Sequence, residues 1–329
     1  KTAGTGTVLI DGIGGNLNSN SSYNPGVNFF LDARNISAGK QHTITTDTGS
    51  ISIKGVAGGG STTNKRGVSL DGGVASFQTI TGDVMIEGSA PANNKGLVII
   101  SGASAEIGTD SRTSGDVLVT TNALNFIGDA NVNTSGTFVL EPIDNSFDGD
   151  FTYENINLNS ASSGLTIGKV TNTANITMAG PVTAAGPISV YGGDLAINAA
   201  LTAIDDDITL TASGDVTQTA ALTANNLALA GTGSFTLQNS SNNVATIAGG
   251  ISSARLGNMA YRDADALEIG TIGSTSGLFS SGTMLVETEN GDLTLSQDIN
   301  TTFTSDDAII LNAGKNAAIG TITGGDIQI

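Results

Sequence analysis

The chain has 329 residues, 12 of them basic and 30 acidic, for a formal charge of −18. Nucleic-acid phosphates and an anionic bilayer would both repel such an excess of carboxylates, which excludes them as partners. Cysteine is absent and histidine occurs once, at His42, so disulfides, thiolate metal sites and multi-histidine centres cannot be built within one chain.

Hydrophobic residues make up 38% of the chain, enough to exclude disorder, but aromatics are only 4% and tryptophan is missing. The core must therefore be made of Val, Ile, Leu and Ala. No apolar run is long enough to cross a membrane as a helix, and no charged-then-apolar leader opens the chain, so no membrane insertion is expected. Strand pattern begins at once with Thr7–Ile10 and is still running at Gly325–Ile329. Neither end has the polar cap that a stack of repeats needs, which predicts a segment of a longer protein.

Along the chain, apolar residues alternate with polar ones in short runs separated by Gly, Asn, Asp and Ser, and sustained helical spacing is missing. Gly49–Gly55, Gly82–Gly88 and Gly115–Thr120 are copies of one another, set at two equal successive steps. Asn64–Leu70 and Asn94–Ile100 are the recurring joints into a second strand, and Asn24–Phe30 reads as a divergent earlier copy. We assign residues 1–140 to coils of this long step and residues 141–153, with Pro142 and a cluster of acids, to a protruding loop or junction. From residue 154 to 250 a shorter step takes over: Ala199–Ala203 returns as Ala220–Ala224, and Gly193–Leu195 returns as Gly214–Val216 after the same interval. Residues 251–329 continue with less regular spacing. Fixed periods of strands without helices predict an all-β chain, a right-handed parallel β-helix whose units bury their apolar faces against their neighbours. Ile51, Val84 and Val117 should stack, as should Leu201 and Leu222, with Ile86, Ile188, Val190, Ile208 and Leu210 also facing inward.

Several acidic patterns invite a chemical reading. Asp144, Ser146, Asp148 and Asp150, with Gly149 between the last two, match the opening of a Ca²⁺-binding loop and make Ca²⁺ the one candidate cofactor. The closing position, however, is Asn155, with Glu154 one residue early, and a solvated acidic loop is the alternative. The Gly-Asp-hydrophobic triplets at Gly82, Gly115, Gly193, Gly214, Gly291 and Gly325 are read as turns, in which Gly supplies positive φ and Asp accepts from its own backbone. Asp205–Asp207 and Asp306–Asp307 precede strands and are read as charged corners rather than catalytic acids, because sugar-gripping aromatics and clustered bases are lacking. Thr209/Thr211 and Thr217/Thr219 form Thr-x-Thr pairs, but no Thr ladder keeps register with the long step.

Leu165–Lys169 followed by Asn172–Thr177, Ile188–Leu195 and Asn242–Gly249 resemble the repeats of giant secreted adhesins of Bacteroidota. More broadly the chain is similar to filamentous-haemagglutinin-like cell-surface β-helix adhesins, well over residues 154–329 and in style before that. The resemblance implies export to the bacterial surface and a part in attachment or gliding; its motifs are structural and carry over no catalytic residue. The expectation is a non-enzymatic stalk or fibre segment, with other domains or copies of the same long chain, or cell-surface and glycan ligands, as partners. These would meet its loops near residues 56–66 and 88–96. A polysaccharide-binding or polysaccharide-cleaving β-helix and a self-assembling filament or matrix subunit are the alternatives.

Overall fold

A computed structural model describes residues 5–14, 25–31, 35, 39–59, 64–92, 94–100, 102–108 and 113–329. Residues 1–4, Asn24, the loop tip 60–63 and residue 93 lie outside the described residues. Every element among the described residues is a strand, and no helix is long and apolar enough to cross a membrane. The chain divides into two units, Lys1–Ala174 and Asn175–Ile329.

In the first unit the chain visits three parallel sheets in a repeating order. One sheet stacks Val8–Ile13, Ile51–Val56, Val84–Ser89, Val117–Thr121, Thr137–Glu141 and Gly164–Ile167. A second stacks Val27–Phe30, Arg66–Asp71, Lys95–Ile99 and Leu124–Phe126. The third stacks Gln41–Thr45, Gly73–Gln78, Ala103–Ile107, Asp129–Val132 and Ile156–Leu158. Ile51 pairs with Val84 and Val84 with Val117, so the two equal steps of the sequence are the distances from rung to rung. Thereafter Val117 pairs with Phe138 over a much shorter step, and Phe138 with Leu165 over an intermediate one. The acidic stretch 141–153 falls inside this unit.

The second unit begins with short, nearly even steps. Ile176, Leu195, Val216, Phe235, Met259, Met284 and Ile309 form one inward column. Leu201 pairs with Leu222, and Ile188, Ile208, Leu227 and Ile247 follow one another in a second face. The step lengthens after Phe235, where small insertions enter, among them the antiparallel hairpin of Thr271–Ile272 with Thr275–Ser276.

Packing follows directly from the period-two pattern. Ile51, Val84, Val117, Ile188, Val190, Ile208 and Leu210 are fully buried, while the residues between them face outward. Each such aliphatic side chain contributes about 1.5–3 kcal/mol relative to exposure. Parallel in-register stacking puts like residues above one another, so the core is a set of columns rather than one cluster. On the outside the same register sets Lys54 between Asp11 and Glu87, and its ammonium lies 2.7 Å from the Glu87 carboxylate.

The Gly-Asp corners work differently from the turn expected of them. Gly49, Gly82, Gly115 and Gly136 all have negative or extended φ. Glycine is required there because the rungs approach so closely: a Cβ on Gly82 would fall inside 3.0 Å of the Gly49 carbonyl, and one on Gly115 or Gly136 likewise of the glycine below. The following Asp caps the next rung instead of its own backbone. Asp116 N–H donates to Asp83 Oδ1 (2.9 Å), Thr137 N–H to Asp116 Oδ1 (2.8 Å) and Asp215 N–H to Asp194 Oδ1 (2.8 Å).

Candidate functional site

The acidic loop borders a cleft of about 470 Å³ in the first unit, and the residues that make it can be traced from the backbone outward. Its floor is the strand Leu124–Phe126, the last of the four-stranded second sheet. Phe147 and Phe151 stand beside it, both buried, with ring centroids 5.4 Å apart; they plug the coil interior where the loop leaves it. Asn94, Lys95, Asp148, Asp150 and Glu154 also line it.

Of the four sequence-predicted cation ligands, Asp144 and Ser146 are held by side chains distant in sequence, while Asp148 and Asp150 line the cleft. Asp144 is clasped to Asn122: its N–H donates to Asn122 Oδ1 (3.0 Å), and Asn122 Nδ2 donates to its carboxylate (2.5 Å). The Ser146 hydroxyl donates to Asn172 Oδ1 (2.9 Å) and accepts from the N–H groups of Thr173 (3.2 Å) and Ala174 (3.1 Å). Asp148 donates its N–H to Asn122 O (2.8 Å) and lines the cleft. Desolvation by the cleft walls pushes the Asp148 carboxyl above its ordinary value, the neighbouring Asp144 carboxylate adds to the rise, and Lys95 opposes it. Asp150 is exposed on the rim. Asn155, at the place a closing Glu would hold, has φ 56° and donates its side-chain amide to Phe126 O (2.8 Å). Among the described residues no group of three or more His, Asp or Glu side chains is gathered for a metal ion.

The other singled-out residues serve corners and columns. Asp205 and Asp307 adopt positive φ (55° and 56°), Asp206 caps the N–H of Asp207 (2.8 Å), and Asp207 accepts from Asn226 Nδ2 (2.6 Å). Asp205 also lines a shallow groove of about 400 Å³ with Asn243 and Asp265. Thr209 and Thr211 stack on Ser189 and Tyr191 and beneath Ala228 and Ala230, so no Thr face is in register there. His42 sits edge-on to Phe29, ring centroids 5.7 Å apart.

Two arrangements were missed in the sequence. One is a buried column of hydroxyls at the corner of the first unit. Thr79, Thr113, Thr134 and Ser162 each donate to a glycine carbonyl of the rung below, at Gly49, Gly82, Gly115 and Gly136, over 3.1, 3.3, 2.6 and 2.9 Å. Its signal is a Ser or Thr shortly before each corner glycine. The second is Asp263, fully buried in the second unit, whose carboxylate accepts from Tyr261 Oη (2.7 Å), Val244 N–H (3.0 Å) and Asp265 N–H (3.0 Å). Burial pushes its carboxyl above the ordinary value, against the pull of those three donors.

No protein-family model, curated protein or solved structure matches the chain.

Proposed function

We propose that each unit is a right-handed parallel β-helix and that the chain is a stalk or fibre segment of a secreted bacterial surface adhesin, holding loops at a distance from the cell. The observation that carries this reading is the rung-on-rung pairing. In both units apolar columns run inside, and backbone and side-chain hydrogen bonds tie each rung to the next. A structure built this way extends by adding rungs and keeps its cross-section, which suits reach and stiffness. The repeats at Leu165–Lys169, Ile188–Leu195 and Asn242–Gly249 support the adhesin class through their resemblance to Bacteroidota surface adhesins.

The test has two arms. An antibody to this chain should label intact source cells, and deletion of its coding sequence should lower their attachment to surfaces or their gliding. The purified chain should turn over neither acidic nor neutral polysaccharides, with or without Ca²⁺. Glycan cleavage abolished by Asp206→Asn or Asp148→Asn would replace the stalk with the polysaccharide-cleaving alternative. Concentration-dependent fibres of the purified chain would favour the self-assembling filament.

A further inference from the structure

One rung of the first unit is not paired throughout with the rung before it. In the coil that begins at Thr137, the first sheet gains Thr137–Glu141 and the third gains Ile156–Leu158. The second sheet gains nothing above Leu124–Phe126: residues 142–150 loop out, and the strand that follows them, Phe151–Tyr153, belongs to another sheet. The edge of Leu124–Phe126 therefore opens into the cleft of about 470 Å³.

Which backbone groups lie on that edge follows from the strand's alternation. Leu97 N–H donates to Ala123 O (3.2 Å) and Ile127 N–H donates to Ile99 O (2.9 Å), so residues 123, 125 and 127 face the neighbouring strand. In a parallel strand alternate residues turn their N–H and C=O to opposite edges, so Asn122, Leu124 and Phe126 face the cleft. Two of their carbonyls have partners: Asn122 O accepts from Asp148 N–H (2.8 Å), and Phe126 O from Asn155 Nδ2 (2.8 Å). Between these two clamps lie Leu124 N–H, Leu124 C=O and Phe126 N–H. They form a donor–acceptor–donor row at strand spacing, and an extended backbone is the complement of such a row.

We infer that this cleft takes up an extended basic peptide segment, which adds to the unpaired Leu124–Phe126 edge as a further strand. Charge sets the chemistry of the occupant. Asp148, Asp150 and Glu154 line the cleft together with Lys95, so three carboxylates outnumber one ammonium and favour a Lys- or Arg-bearing strand. The buried Phe147 and Phe151, the latter opening the strand Phe151–Tyr153, take up space along the cleft, which restricts the occupant's side chains on that side to small ones.

The probe is a fluorescein-labelled hexapeptide of alternating Val and Lys, titrated against the whole chain and followed by anisotropy. Of three control peptides, one carries Glu in place of Lys and the other two carry N-methyl groups on alternate residues, one in each register. Saturable binding is expected for the Val-Lys peptide, weakened at least about tenfold by Glu, by N-methylation in one register, and by Asp148→Lys in the protein. Leu124→Pro removes the first donor of the row on an edge where proline is tolerated and should abolish binding. Should that variant fail to fold, hydrogen exchange decides the matter. The Leu124 and Phe126 amides should exchange freely in the unliganded chain and slow at least about tenfold with saturating peptide. Equal binding of Lys and Glu peptides, indifference to N-methylation in both registers, or amides already protected without peptide would each overturn the inference. So would absence of any peptide binding, or displacement of the peptide by neutral glycan alone.

Discussion

Replacing Gly82 by alanine tests whether the corners need glycine for close approach rather than for a turn. The new Cβ would lie inside 3.0 Å of the carbonyl oxygen and carbon of Gly49 and the amide nitrogen of Ser50. All three are backbone atoms, fixed by the parallel pairing of Ile51 with Val84, so no change of rotamer can relieve the clash. Overpacking of this kind costs about 1–3 kcal/mol, and backbone on the contacted side places Gly82→Ala at the upper end of that range. The Thr79 hydroxyl binds both Gly82 N–H (2.9 Å) and Gly49 O (3.1 Å) in the same corner. Spreading the rungs would lose at least one of these bonds, for about 1 kcal/mol more. Gly149→Ala is the control, because a Cβ there meets nothing within 4 Å and the backbone has no positive φ. Its effect should stay within about 0.5 kcal/mol. Urea unfolding followed by far-ultraviolet circular dichroism should show a lower midpoint at unchanged slope for Gly82→Ala alone. Hydrogen exchange localises the damage: Ile51 and Val84 N–H, which donate to Asp83 O (2.8 Å) and Asp116 O (2.9 Å), should exchange about a hundredfold faster. Wild-type stability of Gly82→Ala, or an equal loss in Gly149→Ala, would refute the close-approach account.

Ile208→Asp would put an unpaired carboxylate between Ile188 and Leu227 in a fully buried column and should cost at least about 4 kcal/mol. Unchanged thermal stability of that variant would contradict an inward-facing Ile208. Tyr153→Phe should stabilise the first unit by about 1 kcal/mol, read from the urea midpoint, because the buried Tyr153 hydroxyl has no hydrogen-bond partner among the described residues. Asp263 has a folded-state pKa above its ordinary 3.8, so the folded second unit holds this proton more tightly than the unfolded chain does. Its contribution to stability therefore grows as pH falls through the folded value toward 3.8, and Asp263→Asn should remove that gain. Melting temperatures of both proteins between neutral and mildly acidic pH, differing by a constant offset, would count against it.

The columns were legible because a parallel stack converts sequence period into register. The copies at Gly49, Gly82 and Gly115 are evenly spaced, and their strands pair residue for residue. Burial was legible for the same reason: alternation in Ile188–Gly192 and Asp207–Ala212 leaves only one face to hide. The change of step at Phe138 could not be read, since Thr137–Glu141 lacks the Gly-Asp opening and its corner glycine, Gly136, is followed by Thr. The cleft was hidden for a different reason. It arises where the strand Phe151–Tyr153 does not pair with Leu124–Phe126, and a pairing that fails to form has no sequence pattern of its own. The sequence showed only its consequence, an acidic loop whose oxygen spacing imitates a calcium loop. In the folded chain Asp144 and Ser146 are occupied by Asn122 and Asn172, residues distant in sequence.

That reuse of carboxylates explains how so acidic a chain can stack its corners. An Asp side chain is long enough to reach the N–H one rung away, at a strand spacing of about 4.8 Å. A hydrogen bond to a charged acceptor contributes about 1.5–3 kcal/mol, while two carboxylates at that spacing repel by about 1 kcal/mol in water-like surroundings. Two stacked acids therefore still gain, but each further acid adds repulsion from every carboxylate already in the column. The observed columns follow this limit. Ser50, Asp83 and Asp116 lead to Thr137 in the first unit. In the second, Asn175, Asp194 and Asp215 are followed by Ser234, Asn258 and Thr283. Neutral acceptors break the run after two charges. The acids at these corners thus bind rungs together, whereas Asp148, Asp150 and Glu154 line the cleft beside the unpaired Leu124–Phe126 edge, where a partner can meet them.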